Sequence, residues 1–374
     1  MRNAAVLRVL FCLDMKIFKY FDWSLLLPAF FLTGIGLTSI YSASISRGSF
    51  FDFKKQLIYF GLALAFFIFL SRLDSRFLRT NSYLVFGFYF LLLVALAGLL
   101  FLAPITRGIR GWYKLGPVAF DPEPLAALAL IIVLAKYFSS RHIELQRWRV
   151  LFFSSLYMLS PFLLVFIQPD LGSAVCFLAI WLGIIFFSGL RLRKFLIVLL
   201  VFAVLAASGW QFFLHDYQKQ RVLSFLNPQI DQRGISWSVN QSKIAIGSAG
   251  FLGKGLGRGP QTQYGFLTEP KTDFIFSAWA EETGFLGTLF LFALLFFLFW
   301  RIIQIAFVSS VNFVRLFAGG LAFLFLTQSA INIGMCLGLL PVVGIPLPMV
   351  SYGGNQLLAF YIGLGILSSL ERRG

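Results

Sequence analysis

Acidic side chains are scarce in this chain of 374 residues: 15 Asp and Glu stand against 31 Lys and Arg. Histidine is nearly absent, with two, and cysteine numbers three. Charged residues of both signs make up only 12%, about half the share of a soluble domain. That shortage excludes an ordinary water-soluble protein. His142 and His215 are isolated, with no second ligand at metal spacing, which argues against a structural metal. Cys12, Cys176 and Cys336 lie far apart, suit apolar packing and make no disulfide framework. The net charge of +16 is scattered over inter-span positions and forms no basic stripe, which excludes nucleic acid as a partner.

What the chain has is apolar length. Hydrophobic residues reach 59%, with 47 Phe among them. A bilayer-spanning helix needs roughly 20 apolar residues, and the runs predict ten such helices. They are Ser24–Ser44, Gln56–Ser71, Ser82–Ala103, Pro124–Phe138, Leu151–Gln168, Ser173–Leu190, Phe195–Phe213, Asp273–Trp300, Val314–Cys336 and Val350–Leu370. The expected fold is an all-α polytopic membrane protein with one transmembrane domain over 1–374. Spans one to seven fill 23–213, a long loop 214–272, and spans eight to ten 273–370. No cleavable signal peptide is expected, because Arg8, Asp14 and Lys16 break the first apolar stretch. The first span then acts as signal anchor, and Met15 is an alternative start.

Charge orients the spans. With the N-terminus inside, 18 of the 31 Lys and Arg fall on inside segments and 6 on short outside loops. The bias puts both termini in the cytoplasm and the long loop outside. A loop of that length is expected to be functional, with Trp237–Ala249 forming a helix at the membrane interface. Pro341, Gly344, Pro346, Pro348, Gly353 and Gly354 predict a broken or re-entrant segment before the last span, tolerated only where protein or a wet cavity satisfies it.

Ionisable groups near a bilayer are costly, so they are candidate functional residues. Asp273 stands at the mouth of the eighth span after Pro270 and Thr272, where the helix dipole favours its anionic form. It reads either as a helix cap or as a general base. Glu281 and Glu282 lie roughly 12–14 Å deeper along the helix and read first as a buried polar network, with a proton or substrate path as the alternative. Lys219, Arg221, Arg233, Lys243, Lys254, Arg258 and Lys271 make the loop basic, suited to a pyrophosphate or to solvent and headgroups. Gly253-Lys254-Gly255-Leu256-Gly257-Arg258-Gly259 is no Walker loop and reads first as a flexible turn, with an amide nest for an anion left open. These features leave enzyme and transporter equally placed.

Longer motifs separate them. They are Gln168-Pro169-Asp170-Leu171-Gly172-Ser173-Ala174, the stretch from Asp216 to Pro228, and Gln241-Ser242-Lys243-Ile244-Ala245-Ile246-Gly247-Ser248 with Thr272-Asp273-Phe274-Ile275-Phe276. A fourth runs from Ile331 through Leu339-Leu340-Pro341-Val342-Val343-Gly344-Ile345-Pro346-Leu347-Pro348 to Ser351-Tyr352-Gly353-Gly354. From about residue 20 onward the chain resembles the SEDS family (shape, elongation, division, sporulation), in its RodA-like elongation branch. The resemblance implies a peptidoglycan glycosyltransferase that polymerises lipid II during elongation and rod-shape maintenance, at the outer side of the bacterial inner membrane. It implies a class B penicillin-binding protein and other elongation-complex proteins as partners. Asp273 takes the place of the family's essential carboxylate. Arg221, Lys243 and Lys271, with Gln241 and Ser351, are the expected substrate-binding residues. Asp170, Glu281 and Glu282 are expected in a polar network. A divalent cation, Mg or Mn, is expected only with the substrate pyrophosphate, and no protein metal site is assigned. A lipid II flippase and a non-catalytic scaffold remain as alternative readings.

The sequence also departs from the family pattern. Where relatives read Gln-Pro-Ser-Glu-Phe-Ala-Lys, this chain reads Asp121-Pro122-Glu123-Pro124-Leu125-Ala126-Ala127. The usual Glu and Lys are therefore Pro124 and Ala127, so that pair is either lost or re-formed through Glu123. Gly111 precedes the loop Trp112, Lys271 replaces a common His, and Asn355 and Gln356 follow Gly354 in place of small residues.

Overall fold

The computed structural model describes residues 21–46, 48–104, 110–116, 118–141, 144, 146–212, 216–227 and 234–373. Arg47, Arg107, His142, His215, Arg233, Cys12, Met15 and the basic residues before Phe21 lie outside that set.

Ten long helices appear close to the predicted spans. They are α1 (Trp23–Ile45), α2 (Phe51–Arg72), α3 (Ser82–Leu102), α4 (Glu123–Ser140), α5 (Trp148–Ile167), α6 (Leu171–Ser188) and α7 (Leu192–Phe212). The chain between 213 and 274 holds α8 (Asp216–Leu226), α9 (Ile235–Ser248) and the single turn α10 (Pro260–Gln263). Then come α11 (Ile275–Val308), α12 (Asn312–Leu337) and α13 (Gly354–Arg373). Among the described residues, eight of these helices are long and apolar enough to cross a membrane by length and composition. A two-stranded hairpin, β1 (Tyr113–Leu115) against β2 (Val118–Phe120), precedes α4 with Tyr113 opposite Phe120.

Hydropathy fixes these helices because a backbone in lipid must satisfy its own N–H and C=O groups. Capping sets several of the starts. Asp22 accepts from Ser24 N at 2.9 Å before α1, and Asp170 accepts from Ser173 N at 3.1 Å before α6. At the far end Arg301 bridges that same Asp22, at 2.6 Å, and Glu371, at 2.7 Å. One guanidinium thus ties α1, α11 and α13.

The centre of the bundle is α4. Every side chain from Ala126 to Phe138 is buried, and α4 packs against α3, α5, α6, α12 and α13. Ala126, Ala127, Ala129 and Ala135 let those neighbours approach closely, as small residues do between membrane helices.

Two elements differ from expectation, and a third gains its packing partners. The tenth helix begins at Gly354 rather than Val350: Val350 N and Ser351 N turn back to Leu347 O, and Tyr352 N reaches out to Lys271 O beside Asp273. The helix expected over Trp237–Ala249 forms as α9 and docks on α11 and α12, with Ser242 Oγ 2.6 Å from both Ser277 Oγ and Cys336 O. The eighth span is also not one continuous helix. Gly284 sits at φ 68 and ψ −160 and breaks α11. The backbone groups freed there pair with the glycine-rich loop. Lys254 N donates to Glu281 O at 3.0 Å, Gly255 N to Glu282 O at 2.9 Å, and Phe285 N to Gly250 O at 3.1 Å. A Cβ on Gly253 would stand 2.2 Å from Glu282 O, and one on Gly284 would stand 2.2 Å from Gly253 N. Only two facing glycines allow that approach.

Candidate active site

Asp273 lies two residues before α11, in a segment held on every side. Its carbonyl oxygen accepts from Asn332 Nδ2 at 3.1 Å and from Cys336 Sγ at 3.4 Å. Asn332 Nδ2 also donates to Ile345 O at 2.8 Å, so one α12 side chain joins the Asp273 segment to the Pro-rich loop. The carbonyl of Thr272 accepts from Ser351 Oγ at 2.7 Å, and that of Lys271 accepts from Tyr352 N at 2.8 Å. Ser351 Oγ receives Leu347 N at 2.8 Å in turn. Three successive carbonyls are therefore fixed from α12 and from the loop before α13. The carboxylate faces Gly344, with Oδ2 3.8 Å from where a Cβ would stand.

The expected substrate residues divide into two groups. Arg221 of α8 and Lys243 of α9 come together on a cavity of about 40 Å³, walled also by Leu340, Pro341 and Val342. That wall leads in sequence straight to Gly344. Lys243 is connected to Asp273 by a second route. Its neighbour Ser242 bonds Cys336 O, and Cys336 Sγ bonds Asp273 O. Gln241 is half-buried on the same helix but does not line the cavity.

Lys271 and Ser351 stand apart from that cavity. Lys271 Nζ lies 2.8 Å from Asp52 Oδ2, with its side chain only 9% exposed. Ser351 is likewise spent on backbone bonds. Asp52, in the first turn of α2, and Asn332 are the two residues that sequence reasoning gave no role. The signals were an acid opening an apolar helix and an amide buried in one.

Glu281 and Glu282 form the expected polar network. Glu281 accepts from Gln261 N at 2.7 Å, Thr262 N at 3.0 Å and Thr262 Oγ1 at 2.7 Å, so it caps α10. Glu282 accepts from Ser42 Oγ of α1, from Gly257 N at 3.2 Å and from Gln263 Nε2 at 3.2 Å. The amides of Lys254, Gly255 and Gly257 are thus used inside the protein, which removes the anion-nest reading of the glycine-rich loop.

Near the start of α4, Asp121, Glu123 and Asp170 are close enough to act on one another's charge. Burial pushes the Asp121 carboxyl up to about 7, and the charge of Asp170 adds to the rise. Burial also raises Asp170, against bonds from Ser173 and the opposing charge of Arg221. Glu123 Oε1 has no hydrogen-bond partner and Glu123 makes no ion pair among the described residues. The Glu–Lys pair missing from the motif is therefore not rebuilt through Glu123. Among the described residues no three His, Cys, Asp or Glu form a set able to hold a metal.

This arrangement can take a proton from a hydroxyl at Asp273 and meet an anion at Arg221 and Lys243. Known proteins resemble the chain in sequence and in fold. The peptidoglycan glycosyltransferase MrdB of Escherichia coli K12 is 38% identical over 283 residues, 76% of each chain. A chain of a solved peptidoglycan synthase complex, in which polymerization and crosslinking are structurally coordinated, matches with a TM-score of 0.81. It is 30% identical and covers 94% of this chain and 98% of that one. The rod shape determining protein RodA of Thermus thermophilus matches at 0.69 with 28% identity, over 94% and 97%. Fold and relatives together define a multi-pass membrane glycosyltransferase of peptidoglycan synthesis. The FTSW_RODA_SPOVE model, described as a cell cycle protein, matches residues 22–374, and the chain belongs to that family.

Proposed function

We propose that this chain polymerises lipid II into glycan strands at the outer face of the bacterial inner membrane, with Asp273 as general base. The charge bias of the loops supports that orientation, with both termini in the cytoplasm. Asp273 takes the proton of the acceptor sugar's hydroxyl. The hydroxyl oxygen attacks the donor's anomeric carbon with inversion, and the bond to the lipid pyrophosphate breaks. Arg221 and Lys243 offset the charge on that leaving group. A cavity of about 40 Å³ has room for little more than a water, so α8 must shift from α9 to admit the pyrophosphate. Lys271 keeps its place as a latch on Asp52 rather than as a ligand. The described residues do not offer a metal-ligand set, and no step is routed through one. A divalent cation would arrive with the pyrophosphate. A cross-linking class B penicillin-binding protein is the proposed partner, with elongation and rod-shape maintenance as the setting.

The single observation that carries the reading is the immobilised Asp273 backbone, three carbonyls fixed in a row with the carboxylate turned to Gly344. The test supplies purified protein and partner with lipid II and resolves glycan products on a gel. Asp273→Ala should keep the wild-type melting midpoint and lose about 10²–10⁴ of the rate, the usual share of a general base. A ladder of wild-type intensity from Asp273→Ala overturns the assignment. Translocated but unpolymerised lipid II from the wild type would point to a flippase.

A further inference from the structure

A cavity of about 730 Å³ opens at the end of the bundle opposite Asp273. It lies between the first turn of α3, the last turns of α4, α5, and the start of α12. Among the described residues its cations are Arg79, Lys136 and Arg141, and no carboxylate lines it. Lys136 is 8% exposed, and its ammonium donates to Leu78 O at 3.2 Å. None of the three makes an ion pair among the described residues. The acids nearest in sequence, Asp74 and Glu144, salt-bridge Arg76 and Arg147 instead. Arg141 lies 4.2 Å above the Tyr137 ring. The N-cap of α12, Val311, offers no side-chain bond, so the positive end of that helix adds to the field. A nearly buried ammonium facing a cavity without a counter-charge is costly, and an anion is what would offset it.

We infer that this cavity binds the phosphodiester headgroup of an anionic phospholipid from the leaflet on that side. Its size is that of a ligand site. Basic pockets between the ends of membrane helices are a recurring form of such sites. The wall is mixed: Phe86, Tyr157 and Phe313 stand beside the cations, which suits an amphiphile whose phosphate and glycerol enter together. The loop charge bias puts this end in the cytoplasm, where acidic lipids face inward. The site is remote from the glycosyl-transfer groups and does not depend on their roles.

The test uses the full chain, delipidated in detergent. Retention of added phosphatidylglycerol is read by native mass spectrometry, and its effect on melting is compared with phosphatidylcholine and inorganic phosphate. Wild type should retain phosphatidylglycerol and melt higher with it alone. Arg79→Gln/Arg141→Gln removes two exposed cations and should cut retention roughly thirtyfold, from about one decade and a half of affinity for two surface cations. Its melting without lipid should match wild type. Arg191→Gln/Arg193→Gln removes the same charge elsewhere at that end and should leave retention at the wild-type level. Equal loss in both double variants, or none in the first, overturns the site. Equal retention of phosphatidylcholine overturns the anionic preference. An equal thermal shift with inorganic phosphate overturns the lipid and makes this a site for a soluble anion.

Discussion

Replacing Asp52 by Asn strands an ammonium that has almost no water. The Lys271 side chain is 9% exposed and Asp52 36%, with 2.8 Å between Nζ and Oδ2. Breaking a fully buried pair costs about 3–5 kcal/mol, and an exposed one contributes about 0–1 kcal/mol. With one partner more than a third wetted, this pair belongs between those limits, at about 2 kcal/mol. The two ends are unequal. Asp52→Asn leaves a buried charge unpaired, whereas Lys271→Met leaves a carboxylate that water can reach. Asp52→Asn should therefore destabilise more than Lys271→Met, and the double variant should recover part of the loss. Activity should follow the same order. The carbonyl of Lys271 is held by Tyr352 N at 2.8 Å, and Asp273 follows two residues later. A displacement of about 1 Å at a reacting group can cost on the order of 10²-fold in rate. The assay is a double-mutant cycle read by melting and by lipid II polymerisation. A double variant less active than Asp52→Asn alone would refute the latch and return Lys271 to the pyrophosphate.

Glu281→Gln keeps the shape but presents an amide nitrogen to at least one of the three donors now bound at 2.7, 3.0 and 2.7 Å. The expected loss is about 1–3 kcal/mol, read as a lower melting midpoint, and an unchanged midpoint would remove its role as the cap of α10. Asp121 has a carboxyl raised by burial to about 7, so its neutral form suits the fold. Its contribution to stability is full below the unfolded value near 4 and is lost as pH rises through about 7. Asp121→Asn should raise the melting midpoint at pH 8 relative to wild type and leave pH 4 nearly unchanged. A variant whose midpoint falls with pH as steeply as wild type would assign that slope to other groups.

The helices were legible because lipid forces each one to satisfy its own backbone, so local hydropathy carries the information. Ser82–Ala103 was expected and Ser82–Leu102 is found. Pairings across the chain leave no such trace. Lys271 reads as a phosphate ligand because it lies among the cations of a basic loop, yet its partner Asp52 is 219 residues away. Asn332 sat inside a recognised motif, but a motif does not say that one amide will hold both Asp273 O and Ile345 O. The break at Gly284 escaped for a related reason. Apolar periodicity records which face is greasy, not where φ turns positive, so 275–308 reads as one long helix. The sign that something docks there was chemical. Two adjacent carboxylates in an apolar helix are too costly to stand alone, and a glycine-rich loop lay just upstream with amides to spend. The structure joins those two facts, so an adjacent acidic pair within a membrane span can mark where a polar loop re-enters the bundle as well as where chemistry occurs.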